Sequence, residues 1–330
     1  MAAEMSRWAE ETNRFIQEAL QLREDAPPLY ESAVHIFKGG GKRLRPFMTL
    51  KACEAVGGHA EDALPFASAL ELLHNFTLIH DDIVDHSEKR RGLPAVHILW
   101  GTPQAIITGD MIFAKVFAVA TRGPHLEKLP AFTIVQALNV LSEAAIEICV
   151  GQTMDMQFGT RLNVTEKEYL RMVAKKTAAL FKASTWIGAL MGQGTDEEAR
   201  MLAEFGENAG IAFQIADDLL GLVADEKELG KPVGSDVKEG KKTLMVIHGL
   251  AKASPSQRRS ILAALGNRRA TSMEVSRAVA TLRSLGSLEY AAEKASEYVA
   301  AAKDALSGLK ESPAKSQLLQ VADFVAARRF

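Results

Sequence analysis

Two short acidic runs carry the residue types best suited to chemistry. In the first, LLHNFTLIHDDIVD, Asp81 and Asp82 are adjacent and Asp85 follows one helical turn on. At 3.6 residues per turn, Asp81 and Asp85 share a face roughly 6 Å apart, with Thr77 and His74 further back along it. Leu72, Phe76, Ile79 and Ile83 recur at intervals of three and four on the opposite side. That spacing predicts one helix with an apolar back and an acidic end. In the second run, FQIADDLLG, Asp217 and Asp218 are again adjacent and Gln214 falls on the side of Asp217. Ile211, Ile215, Leu219 and Val223 form an apolar face away from Asp217. Like charges within one turn repel, so something cationic should offset them. Hard divalent cations take oxygen ligands, and magnesium is held by one or two carboxylates together with substrate phosphates. One such turn alone reads as solvated surface acidity. A second copy makes a pair of carboxylate faces, and helical bundles build metal sites from such pairs.

Clusters of cations accompany the acids. GGGKRLRP places Lys42, Arg43 and Arg45 directly after three glycines. Glycines let backbone approach a ligand and clustered cations favour a phosphate-rich anion; the plain alternative is a flexible loop with solvated charges. Lys89, Arg90 and Arg91 follow the first acidic run. Arg90 and Arg91 suit bidentate binding of a diphosphate beside metals, or else balance the charge of Asp81, Asp82 and Asp85. Lys176 with Thr177, Lys231, and Lys241 with Lys242 and Thr243 supply further donors, each weak alone. His74 is either a satisfied core histidine or a ligand on the acidic face.

The bulk properties bound the rest. A chain of 330 residues buries a large core, as one big domain or two smaller ones. Hydrophobic residues at 47% and charged residues at 24% describe a globular protein. A net charge of −2 gives no reason to expect a nucleic-acid partner. With two cysteines only, Cys53 and Cys149, a reducing compartment is expected and a disulfide framework is not. The start, MAAEMSRWAEETNRF, lacks the apolar core of a signal peptide, and Glu143 and Glu147 interrupt the apolar stretch from Leu129 to Val150, so no membrane span is expected. A soluble, cytoplasmic protein is the expectation.

Good helix formers dominate and alternating β-branched runs are nearly absent. The pattern predicts helices at about 4–24, 29–38, 46–57, 62–87, 96–121, 129–158, 166–192, 196–225, 241–252, 255–265, 272–284, 287–308 and 314–327. Breaks fall at Pro27-Pro28, Gly39 to Gly41, Gly57-Gly58, Gly92 to Pro94, Gly123-Pro124 and Gly230 to Gly234. No long linker divides the chain, so one all-α domain over residues 1–330 is expected.

These residues together suggest a magnesium-dependent enzyme handling diphosphates inside an apolar helical bundle. The chain resembles the all-trans polyprenyl diphosphate synthase family across nearly its whole length. The blocks that carry the resemblance are GGGKRLRP, LLHNFTLIHDDIVD, RRGLPAVH, the Gly109-Asp110 pair, GQTMD, KKTAALF, FQIADDLLG and GKPVGSDVKEGKKT, in the family's order. The resemblance implies an isoprenoid synthase fold, a large helical bundle around a central cavity, usually as a homodimer. It implies that Asp81, Asp82 and Asp85 bind two magnesium ions, and that Asp217, with Asp218 nearby, binds a third. It further implies that Lys42, Arg45, His74 and Arg91 hold isopentenyl diphosphate. Arg90, Lys176, Thr177, Gln214, Lys231 and Lys241 would surround the allylic diphosphate.

One position departs from the family pattern: Gly221 stands where the fuller second motif has a third aspartate. For product length, the resemblance points to Phe76 and Thr77, five and four places before Asp81, with Leu73 beside them. DDIVD carries no insertion, which is similar to the archaeal-type C20 synthases, so geranylgeranyl diphosphate is the expected main product, with farnesyl diphosphate as intermediate or minor product and a C15 or longer-chain synthase as the alternative. On the helical wheel Thr77 stands beside Asp81 and Phe76 on the apolar face, where ordinary core packing is the alternative. A class I terpene cyclase and a non-catalytic subunit of a heteromeric synthase are the rival readings. The first has no use for GGGKRLRP, and the second typically loses aspartates that are present here.

Overall fold

The computed structural model describes residues 1–123, 127, 129–223 and 234–326. The described residues are overwhelmingly helical, as the periodicity predicts. Contacts divide the chain into two compact units, each assembled from separate stretches. The first comprises Met1–Ala145, Ala183–Ala203 and Gly308–Leu318; the second comprises Ile146–Lys182, Glu204–Ser307 and Leu319–Phe330.

In the first unit, α1 (Ala2–Ala19), α2 (Pro27–Lys38), α3 (Leu44–Ala55), α5 (Val96–Trp100) and α6 (Thr102–Ala120) surround α4 (Ala60–Val84). This helix packs chiefly on α6 and α3. Leu70, Leu72 and Leu73 of α4, Phe47 and Leu50 of α3, and Ile112 and Val116 of α6 are fully buried. At roughly 1.5–3 kcal/mol for each fully buried large side chain, this contact dominates the unit and holds α4 rigid. Leu73, a predicted product-length residue, is therefore core.

The long helix expected at 96–121 is broken. Gly101 adopts φ +81°, and Pro103 follows in the first turn of α6. Between α4 and α5 lies a feature the helical pattern does not contain, a two-stranded hairpin. Its strands β1 (Lys89–Arg90) and β2 (Leu93–Pro94) pair Lys89 with Pro94 and Arg90 with Leu93. The connecting residues, Arg91 at φ +51° and Gly92 at φ +79°, are both left-handed, as a tight two-residue hairpin requires.

In the second unit, α8 (Glu166–Val173) opens on a complete capping box: Thr165 Oγ1 accepts from Glu168 N–H, and Glu168 accepts from Thr165 N–H. The helix expected over 166–192 is not uniform. Residues Ala174–Ala178 form a π-turn between α8 and α9 (Ala179–Met191). α7 (Ala131–Gly159) and α10 (Asp196–Val223) also contribute to this unit. α11 (Ser235–Glu239), α12 (Leu244–Lys252), α13 (Pro255–Ala264), α14 (Ser272–Ser284), α15 (Ser287–Ala305) and α16 (Pro313–Ala326) complete the chain. Its core includes Tyr169, Val173, Ile215, Leu219, Leu244, Ile261 and Leu282. Ile211, Ile215 and Leu219, the predicted apolar face of the second acidic run, are all buried.

Two helices among the described residues, Thr102–Ala120 and Ala131–Gly159, are long and apolar enough to cross a membrane by length and composition. Both cysteines are free.

Candidate active site

The first acidic run closes α4. Ser87 N–H donates to Asp82 C=O at 2.9 Å, His86 N–H donates to Ile83 C=O at 3.3 Å, and His86 is left-handed at φ +55°. This is a Schellman termination with histidine in place of the usual glycine. It sets Asp81, Asp82 and Asp85 at the negative end of the helix dipole, where carboxylates are electrostatically misplaced unless a cation is near. Asp82 is 1% exposed. Its Oδ1 accepts from Arg90 Nε at 3.0 Å and also from Arg90 Nη2, while its Oδ2 is buried without a hydrogen-bond partner. Asp81 and Asp85 are half-buried.

An orphaned, buried carboxylate oxygen beside two half-buried carboxylates fits a hard cation. Among the described residues no group of three or more acidic, histidine or cysteine side chains is by itself arranged to hold a metal ion. Magnesium does not need one, because it keeps waters and draws on substrate phosphates.

The same unit presents the basic loop. Arg43, itself left-handed at φ +47°, is 3% exposed. It donates to Asn13 Oδ1 at 2.7 Å, to Gly40 C=O at 3.1 Å and to Glu71 Oε1 at 3.1 Å. Asn75 donates to the same Glu71 oxygen at 3.0 Å. Gly41 adopts φ +142°, where any other side chain is strained, and a Cβ would also press on the guanidinium groups of Arg43 and Arg91. Arg91 donates to Gly40 C=O, so hairpin and loop are tied together. Lys42 and Arg91 are exposed and Arg45 is half-buried. His74 faces this cluster. Burial, then the charges of Arg45, Arg91, Arg90 and Arg43, hold its imidazole well below the ordinary value. It is neutral at physiological pH, with one ring nitrogen to donate and one to accept.

Thr77 and Phe76 differ as the wheel indicates. Thr77 Oγ1 donates to His74 C=O at 2.7 Å. The ring of Phe76 lies 4.7 Å from that of His80 and 5.1 Å from Phe113 of α6, which in turn lies 5.4 Å from Phe117. Phe76 thus heads an aromatic file running along α6.

In the second unit, Asp217 is exposed and Asp218 is buried. The buried carboxylate is fully engaged: Tyr169 Oη donates to Oδ2 at 2.7 Å and Gln214 Nε2 donates to Oδ1 at 2.7 Å. Burial, then repulsion from Asp236, pushes Asp218 up to about 7. Gln214 therefore serves Asp218, four residues on, and its Oε1 accepts from Thr177 at 2.7 Å. Lys176 Nζ donates to Asp155 Oδ2 at 2.6 Å, and Lys241 Nζ donates to Asp236 Oδ1 at 3.1 Å. A Cβ at Gly221 would lie 2.9 Å from Asp236 Oδ2, so a neighbouring carboxylate occupies the space beside the position that lacks the third aspartate. Lys231 lies outside the described residues.

Sequence reasoning passed over Glu71, Asn75, Asp155, Tyr169 and Asp236 as site residues. Asn75, Asp155 and Asp236 lie inside the quoted blocks, which was a usable signal. Tyr169 carries none, because its partner is 49 residues away.

Comparison with known proteins gives one consistent result. A family profile described as Polyprenyl synthetase matches residues 26–282. The chain is 45% identical over 308 residues to the geranylgeranyl diphosphate synthase of Sulfolobus acidocaldarius, covering 92% of each. It is 40% identical to the geranylfarnesyl diphosphate synthase of Aeropyrum pernix, covering 93% of this chain and 95% of that one. The crystal structure of geranylgeranyl pyrophosphate synthetase from Pyrococcus horikoshii superposes with a TM-score of 0.92 at 41% identity, covering 99% of this chain and 98% of the other. The sequence blocks, the all-α fold and these relatives agree: the chain belongs to the polyprenyl synthetase family.

Proposed function

We propose that this chain is a magnesium-dependent trans-prenyltransferase that adds isopentenyl diphosphate to dimethylallyl, geranyl and farnesyl diphosphates, with geranylgeranyl diphosphate as its main product. That is the product for which the Sulfolobus acidocaldarius and Pyrococcus horikoshii proteins are named. The observation that carries the reading is the end of α4. Three carboxylates sit where the helix dipole repels them, one holds a buried unpartnered oxygen, and arginines gather beside them.

Asp81, Asp82 and Asp85 would hold two magnesium ions, and Asp217, beside Asp218, a third. Bound magnesium supplies electrostatic neutralisation of the departing diphosphate. Lys42, Arg45, His74 and Arg91 bind isopentenyl diphosphate, His74 doing so without adding charge. Arg90, Lys176, Thr177, Gln214, Lys231 and Lys241 bind the allylic diphosphate and receive its growing charge as the C–O bond breaks. The double bond of isopentenyl diphosphate attacks the resulting allylic cation, and C2 of that unit gives up a proton to the departed diphosphate. Apolar side chains such as Phe76 and Phe113 keep water from quenching the cation.

The family profile spans stretches of both compact units, and those units alternate along the chain, which supports reading residues 1–330 as one synthase domain. Ile98, Leu99, Ile106, Ile107, Phe132 and Val135 expose apolar surface on α5, α6 and the start of α7. A second copy of the chain is the partner that best fits these exposed apolar side chains. Free cysteines suit the cytoplasm.

Purified protein given magnesium, isopentenyl diphosphate and each of three primers of increasing length tests the reading. Condensation by the chain alone supports it. Diphosphate release with a cyclised hydrocarbon would indicate a cyclase, and turnover only after adding a second subunit would indicate a regulatory chain.

A further inference from the structure

Lys176 and Thr177 stand on the π-turn Ala174–Ala178, whose wider winding holds one more residue than an α-turn. An α-turn in its place would swing one of the two side chains by about 100°. The two helices against this turn share a pattern. On α7, Gly151 lies against the turn's backbone, and a Cβ there would come 2.6 Å from Lys176 Cα. On α10, Gly210 does the same, with a Cβ 2.6 Å from Ala178 Cα. One helical turn beyond each glycine, on the same face, comes a polar grip. Asp155 accepts from Lys176 at 2.6 Å, and Gln214 accepts from Thr177 at 2.7 Å. The Gln214 amide is itself oriented, because its nitrogen is committed to Asp218 at 2.7 Å.

We propose that Gly151 and Gly210 are positioning residues: they let α7 and α10 close on the π-turn so that Asp155 and Gln214 clamp Lys176 and Thr177 and the remaining donors of Lys176 point at the allylic diphosphate. The inference rests on the reading of Lys176 as a ligand of that substrate. An added methyl at either glycine displaces the turn by about 1 Å, and a misplacement of that size costs a positioned group up to about a hundredfold.

The test is steady-state kinetics on the full chain with magnesium, alongside melting temperatures, for Gly151→Ala, Gly210→Ala, Lys176→Ala, Asp155→Asn and Gly159→Ala. Gly159, also on α7, has nothing within 4 Å of a built Cβ and serves as the control. Expected are rises of about tenfold or more in the KM for farnesyl diphosphate in both glycine variants, with the KM for isopentenyl diphosphate within about twofold. Gly159→Ala should match the parent. A folded Gly151→Ala and Gly210→Ala with unchanged farnesyl diphosphate KM, or with both KM values raised equally, overturns the clasp. Should a glycine variant not fold, Asp155→Asn decides, since it keeps the packing: a selective rise supports the clasp and no change overturns it. If Lys176→Ala also leaves the farnesyl diphosphate KM untouched, the ligand reading itself fails and the clasp with it.

Discussion

Arg90 places both Nε and Nη2 on a single oxygen of Asp82 and leaves the other oxygen, Oδ2, buried and unpartnered. The arginine offsets the charge of Asp82 alone among the three carboxylates at the end of α4 and still leaves a lone pair for a cation. A diphosphate arriving with magnesium offers Arg90 a second anion, so the pair is suited to exchange partners during substrate binding. Because Arg90 and Arg45 serve different diphosphates in this reading, their losses separate. Arg90→Ala should chiefly raise the KM for the allylic substrate, and Arg45→Ala chiefly that for isopentenyl diphosphate. Initial rates with each substrate varied in turn decide; both variants raising only the same KM would break the assignment.

The neutral His74 carries a pH signature. Its folded-state pKa lies well below the ordinary 6.5, owing to burial and then to Arg45, Arg91, Arg90 and Arg43. Between those two values the unfolded chain takes up a proton that the folded chain refuses. Stability from this site is therefore fully present above pH 6.5 and is lost as pH falls toward the folded value. His74→Gln should flatten the fall in melting temperature between about pH 6.5 and pH 5 relative to the parent. An equally steep fall in both proteins would mean that His74 does not titrate as described.

Product length should respond to the aromatic file. Phe76→Ala opens space against Phe113 and should carry the product beyond C20. Thr77→Phe adds a ring one turn before Asp81 and should shift the product toward C15. Chromatography of dephosphorylated products reads both. An unchanged distribution for Phe76→Ala would move the end of the product channel elsewhere, to Phe113 or Phe117 in the first instance.

The end of α4 was legible because helical periodicity and charge alone place Asp81, Asp85, Thr77 and His74 on one face. The same arithmetic set Ile211, Ile215 and Leu219 in the core. The hairpin was not legible, since its turn uses Arg91-Gly92 where Asn-Gly or Asp-Gly gives the recognisable signal. The π-turn was hidden for a different reason: Gly151 and Gly210, the residues packed against it, lie on other helices, and no local pattern in KKTA announces them. Gln214 was placed on the side of Asp217, whereas in the fold its amide bridges Asp218 and Thr177, nitrogen to one and oxygen to the other, a pairing that only packing creates. The partnership of Tyr169 with Asp218 is likewise a property of packing.

The most direct measurement replaces one carboxylate of each acidic run. Asp81→Ala and Asp217→Ala, assayed separately with magnesium, isopentenyl diphosphate and farnesyl diphosphate, should each lose a factor of about a hundred or more in condensation rate. Helix content by circular dichroism should stay at the parent value, since Asp81 is half-buried and Asp217 exposed, and neither packs in the core. Retention of more than about a tenth of the parent rate by both variants would contradict carboxylate-held metal as the source of catalysis.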